Sequence, residues 1–342
     1  MKRIVKQVVG IDVAKAELVV CVGKMHDDLT SELYAHKTFP NTAKGFVAFT
    51  SWVKGRTVSE IPVRYVMEAT GVYHESLLYF LDDNKLEVTV VLPNKISNYA
   101  KTLDVKTTTD RSASDAITRF GLERNLDRWK RPALMFRKLK QLTRERDQLI
   151  TERTRTKNQL HAEQAEAYPA MESIARMKAR IKFLQKQIDE IETELKQAIK
   201  QDQAVKARVK VISSVIGIGE LTAVTALAET NGFELIRNRR QLTSYTGFDV
   251  KDKQSGTSVK GKPRISKRGN RYLRKALYMP SLAAIRYEGR YKDLYKRLLS
   301  RHGLKMKALV AVQRKLLEMM YTVDKANQPF DRNYLKKNPV EV

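Results

Sequence analysis

Eight apolar residues, Ile174, Met177, Ile181, Leu184, Ile188, Ile191, Leu195 and Ala198, recur at alternating steps of three and four. Such a heptad seam commits about 25 residues to one long helix whose stripe a second helix must cover. A patchier seam precedes it at Met135, Leu139, Leu142, Leu149 and Leu160, and Tyr168-Pro169 stands between the two. The pair predicts either a helical hairpin or an intermolecular coiled coil, with dimerisation as its expected use. The chain therefore reads as a front domain at 1–130, a coiled coil at 131–204, a C-terminal domain at 205–330 and a tail at 331–342.

The front domain alternates two periodicities. Residues 4–11, 18–22 and 34–39 read as strands separated by short turns. Asn41-Thr42 offers an N-cap for a helix carrying Phe46, Phe49, Trp52 and Val53. A strand over 63–67 ends at Glu68. A helix over 72–81 follows, then a strand over 86–92 stopped by Pro93, then a helix over 112–125. A meander followed by strands alternating with helices predicts an α/β domain with a mixed sheet.

Charge separates the two halves. The net charge is +27, from 65 Lys and Arg against 38 Asp and Glu. Residues 1–120 hold 16 basic and 14 acidic residues, a net of +2, which leaves +25 for the remainder. An excess of this size costs self-repulsion unless a polyanion screens it, so a nucleic-acid partner is expected. Apolar residues make up 42%, enough for real cores. No run of about 18 apolar residues could cross a membrane, and the first residues form no signal-peptide core. The single cysteine, Cys21, excludes an internal disulfide framework and suits a reducing cytoplasm. It reads as a small buried hydrophobe. With five histidines it shows no zinc spacing.

Behind the coiled coil, Val215-Ile216-Gly217-Ile218-Gly219 and a helix from Glu220 look like a helix-hairpin-helix turn, in which Gly217 and Gly219 bring backbone amides to a phosphate. A helix begins over 241–245 and closes at Gly247. Then comes Gln254-Ser255-Gly256-Thr257-Ser258-Val259-Lys260-Gly261, hydroxyls between glycines, running into Lys262, Arg264, Lys267, Arg268 and Arg271. Such cations hold phosphates. Ser255 in that setting either attacks a phosphodiester or hydrogen-bonds one. Helices over 270–285 and 305–323 complete the domain.

Asp12 and Glu68 close apolar strands in the front domain, where α/β sites assemble. Asp110 and Asp115 lie before and on the next helix. Four acids from two strands and a helix would suit Mg²⁺ (or Mn²⁺) and phosphoryl transfer. Singly, each also reads as a turn, surface or helix-terminal acid.

Together these segments resemble the DEDD-type transposases of bacterial insertion sequences, the Piv-like, bridge-RNA-guided recombinases. The resemblance is carried by Gly10-Ile11-Asp12-Val13-Ala14-Lys15, Met67-Glu68-Ala69-Thr70-Gly71-Val72-Tyr73, Ser114-Asp115-Ala116, Ile216-Gly217-Ile218-Gly219, Ser255-Gly256-Thr257-Ser258-Val259-Lys260-Gly261 and Arg274-Lys275-Ala276-Leu277-Tyr278-Met279-Pro280. It implies a RuvC-like (RNase H-like) domain, a coiled coil and a mostly α-helical transposase domain. By position, Asp12, Glu68 and Asp115 match metal-binding acids and Ser255 a serine nucleophile. It further implies donor and target DNA, a guide RNA and assembly as a dimer to tetramer. One departure stands out. The family spaces its last two acids three apart, but Asp110 and Asp115 are five apart, roughly 140° around a helix, and Ser112 occupies the third place before Asp115. Either Asp110 folds back to the metal from a loop, or the fourth ligand is lost or replaced.

Two other readings remain open at this point. A Holliday-junction-type nuclease would cut with water and the same acids, the serine only binding DNA. A non-enzymatic nucleic-acid-binding coiled-coil scaffold would explain the charge and heptads but leave the acids without a purpose.

Overall fold

The computed structural model describes residues 2–69, 71–103, 109–234, 236–252, 254–255, 259–261 and 263–331, with the backbone alone at 254–255 and 259–260. The chain divides into two compact units, Met1–Arg131 and Pro132–Val342.

The first unit is a five-stranded mixed sheet with helices on both faces. Its elements in chain order are β1 (Ile4–Val13), β2 (Glu17–His26), β3 (Ser31–Pro40), α1 (Ala43–Lys54), β4 (Val63–Glu68), α2 (Glu75–Asp83), β5 (Glu87–Val91), α3 (Pro93–Ala100) and α4 (Asp110–Glu123). The strand order is β3-β2-β1-β4-β5, antiparallel across the first three and parallel from β1 to β5. The central strand β1 is buried on both faces, and alternation sorts its side chains. Val9, Ile11 and Val13 join Phe46, Phe49 and Leu77 from α1 and α2. Val8 faces the other way, with Val66, Ile117 and Leu122. By the same parity Asp12 and Glu68 lie on the face that α4 covers.

Thr109 starts α4 as a capping box, its hydroxyl accepting from the Ser112 amide while Ser112 accepts from the Thr109 amide. The cap places Asp110 as the first helical residue, rather than in a loop. Gly10 lets α4 approach β1 closely. A Cβ there would stand 2.2 Å from Thr118 Oγ1 and 2.5 Å from its backbone nitrogen. Gly10→Ala is therefore expected to push α4 off the sheet at a cost of roughly 3 kcal/mol, read as a lower denaturation midpoint. A loss below about 0.5 kcal/mol would contradict this packing.

The second unit is mostly helical. A hairpin of two 31-residue helices, α5 (Leu134–Gln164) and α6 (Met171–Gln201), leads into α7 (Gln203–Ser213), α8 (Glu220–Glu229) and α9 (Arg239–Thr246). Short strands follow: β6 (Val250–Lys251), β7 (Gln254–Ser255), β8 (Val259–Lys260) and β9 (Arg264–Ile265). Then come α10 (Arg271–Ala276), α11 (Tyr278–Ala284), α12 (Arg290–His302) and α13 (Lys305–Ala326). The heptad residues Ile174, Leu184, Ile188, Ile191, Leu195 and Ala198 are buried, and α6 runs antiparallel to α5 in the same chain. Lys138–Glu194, Arg146–Glu192 and Arg153–Gln185 contacts fix that pairing. The root of the hairpin enters the main core with α7, α8 and α13.

One helix expected over 270–285 is two. Pro280 has no amide to bond the Ala276 carbonyl, and the chain breaks at Leu277 between α10 and α11. A buried network also braces this unit. The Glu229 side chain, fully buried, accepts from Arg144 Nε and Nη2 at 2.7 and 2.8 Å and from the Asn270 side-chain amide at 2.6 Å. Asn270 in turn caps α10, so the basic segment's helix is tied to α5 and α8.

Candidate active site

Three of the four candidate acids approach one another at the strand ends, although their carboxylate oxygens do not all lie within 4.8 Å. Ile11 and Met67 are register partners on the parallel strands β1 and β4, so Asp12 and Glu68 leave the adjoining strand ends together. Asp110 comes from the first residue of α4. The electrostatics record the meeting. Burial pushes the Asp12 carboxyl up to about 6, with Asp110 and then Glu68 adding repulsion and the Val13 amide opposing. Beside Glu68 opens a cleft of about 600 Å³, lined also by Pro93, Ser97, Lys101 and Ser112.

Oxygen-only donors from three carboxylates, one half-buried and destabilised by its neighbours, fit a hard divalent cation such as Mg²⁺.

Asp115 points elsewhere. Five residues along α4, its Oδ1 lies 2.6 Å from His36 Nε2 on β3. Cys21 on β2 joins them. Its thiol is buried and pushed up to about 12, chiefly by burial and in part by Asp115, with a Thr118 hydrogen bond opposing. Sequence reading missed this group. The burial of Cys21 was legible, but its pairing with His36 depends on strand register.

The candidate serine is in the second unit. Its backbone lies in β7, paired to β8 through Ser255–Val259 and Gln254–Lys260, and this ribbon is bracketed by β6 and β9. Residues 256–258 and Lys262 lie outside the described residues, as do the side chains of Ser255 and Lys260. Arg264, Lys267, Arg268 and Arg271 are exposed. Arg271 stacks on the Tyr272 ring, 5.0 Å from its centroid, and Arg144 sits at 4.5 Å. Ser266, between the cations, is held by Asp249 at 2.7 Å and accepts from the Arg268 amide.

The glycine turn joins α7 to α8. Gly217 has φ +84°, and a Cβ there would lie 2.6 Å from the Pro280 carbonyl, so it packs against α11. Gly219 is open and caps α8.

Comparison with known families decides the relationship. A family model described as a DEDD-type IS110 transposase matches residues 9–169, and one described as the transposase IS116/IS110/IS902 family matches 209–296. The chain belongs to the IS110 transposase family. This IS110-family chain is 28% identical over 334 residues to the pilin gene-inverting proteins of Moraxella lacunata and Moraxella bovis, covering 96% of it and 98% of each relative. An insertion element IS110 protein of Streptomyces coelicolor matches at 26% over 113 residues, 33% of this chain and 28% of that protein. Among solved structures, RuvC of Thermus thermophilus in complex with a Holliday junction substrate matches at 11% identity and a TM-score of 0.28, covering 36% of this chain and 99% of that one.

Proposed function

We propose that this IS110-family protein is a site-specific DNA recombinase that cuts and rejoins strands through a phosphoserine at Ser255, guided by an RNA encoded beside its gene. The observation that carries this reading is the convergence of Asp12, Glu68 and Asp110 at the ends of β1 and β4.

These three carboxylates would hold Mg²⁺ or Mn²⁺, with Asp115 as a fourth ligand once released from His36. A cation bound there supplies charge neutralisation at a phosphate and at the departing oxygen. Ser255 Oγ attacks phosphorus, the phosphorus–oxygen bond to the neighbouring deoxyribose breaks, and a phosphoserine forms. The seryl proton is released and the departing oxygen takes one up. A hydroxyl from another strand reverses the sequence, so rejoining consumes no nucleotide.

Lys260, Lys262, Arg264, Lys267, Arg268 and Arg271 hold the nucleic-acid backbone. Gly219, open at the start of α8, brings amides to a phosphate, and Gly217 shapes the turn behind it. The α5–α6 hairpin serves dimer-to-tetramer assembly, in which one subunit's acids meet another's serine. This reading places the protein in the bacterial cytoplasm at the nucleoid. No described helix is long and apolar enough to cross a membrane.

The test is reconstitution with purified chain, donor and target DNA, the RNA transcribed from the flanking non-coding stretch, and Mg²⁺. Recombinant product is expected only with all components, lost in chelator and restored by Mg²⁺ or Mn²⁺. Full product in chelator would overturn the metal assignment, and full product without RNA would overturn the guide.

A further inference from the structure

Cys21, His36 and Asp115 bring three different donor atoms to one place from three elements. Cys21 and His36 are partners in the β2–β3 register, and directly opposed residues project from the same face of a sheet. Asp115 descends on them from α4. The Cys21 sulfur, a His36 ring nitrogen and an Asp115 oxygen all lie within 4.8 Å of one another. The geometry points to a binding site for one thiophilic divalent cation of the zinc or cobalt class, held by Cys21 Sγ, His36 Nε2 and an Asp115 carboxylate oxygen.

The donor set decides the class of ion. Sulfur and imidazole nitrogen favour borderline-soft metals, whereas the Asp12 cluster offers oxygen alone. Tetrahedral zinc with bonds of about 2.0–2.3 Å holds its donors roughly 3.3–3.8 Å apart. The present cluster reaches that spacing by small side-chain rotations, His36 and Asp115 opening from their 2.6 Å contact. Three protein ligands leave a fourth position free. His36 and Asp115 are 23% and 33% exposed, so an ion reaches the buried thiol from their side. On binding, the Cys21 S–H bond breaks and its proton passes to solvent. His36 shifts its ring proton from Nε2 to Nδ1. Asp115 exchanges its contact with His36 for one with the cation. Occupancy here therefore withdraws Asp115 from the acid set proposed above.

The experiment titrates Co²⁺ into the full-length chain after chelation and follows the near-ultraviolet thiolate-to-cobalt absorption. One equivalent is expected to produce the band, Zn²⁺ to quench it, and excess Mg²⁺ to leave it. Cys21→Ser and Cys21→Ala are expected to abolish it. His36→Ala, at a partly exposed position, is expected to weaken Co²⁺ binding by at least about tenfold. The double variant Asp12→Asn with Glu68→Gln is expected to keep the band, which separates this site from the proposed catalytic cation. A wild-type chain that binds Co²⁺ without thiolate absorption, or fails to bind it, would overturn the site, as would an unchanged affinity in His36→Ala.

Discussion

Asp12→Asn is expected to lower strand cleavage on the order of 10³-fold while leaving the fold intact. The substitution keeps shape and removes one of the three carboxylate charges proposed above to hold the cation. The change in stability distinguishes this from a folding defect. The folded carboxyl sits near 6 against an ordinary value of 3.8. A raised acid costs stability as pH climbs through that interval, because the folded state disfavours the ionised form. Above pH 6, without divalent ions, Asp12→Asn should therefore unfold at the same or a higher temperature than the wild type. Added Mg²⁺ should stabilise the wild type more than the variant, since an ion that binds only the folded state shifts the equilibrium by mass action. DNA affinity should change little, because the net +25 lies beyond residue 120. Cleavage within tenfold of wild type would remove Asp12 from the machinery. Unchanged recombination after both Asp12→Ala and Glu68→Ala would favour the scaffold reading.

Ser255→Ala is expected to abolish the covalent protein–DNA adduct and to reduce recombination on the order of 10⁴-fold or more, the scale of losing a nucleophile. The residue stands in a short paired ribbon flanked by exposed Arg264, Lys267 and Arg268. Removing its hydroxyl leaves those cations in place, so DNA should still bind with the wild-type salt dependence. The decisive measurement is adduct formation on a DNA substrate after denaturation and nuclease digestion. An adduct at wild-type yield in Ser255→Ala would eliminate the serine as nucleophile. Cleavage without any adduct, in wild type and variant alike, would support hydrolysis by a junction-type nuclease instead.

Much of the architecture is legible in the sequence. The front-domain strands follow from alternation, and α1 from Thr42 and its apolar spacing. The long α6 follows from its heptads. These are local properties, set by side chains two, three or four positions apart. The boundaries were less legible. β1 runs through Asp12 to Val13, and α7 and α12 carried no separate expectation. In the site, Asp12 and Glu68 were visible because acids interrupt apolar strand ends. Lys101, which lines the cleft beside Glu68, was not, since a lysine at the C-cap of a short helix has no local pattern to break.

Sequence alone determined the strongly basic C-terminal half, the acids at or beside the ends of two strands, and a helical stripe that required a partner. Tertiary structure decided the partner of that stripe, through antiparallel pairing with α5. It also decided how α4 divides its acids. The Thr109 cap starts the helix at Asp110, and a five-residue step then turns Asp110 toward Asp12 and Asp115 toward His36. The meeting of Cys21 with His36 was equally a tertiary outcome, because a one-residue slip of β3 would reverse the face presented by every side chain on that strand. Periodicity is written in neighbouring residues, but register and helix phase are fixed only when distant segments pack.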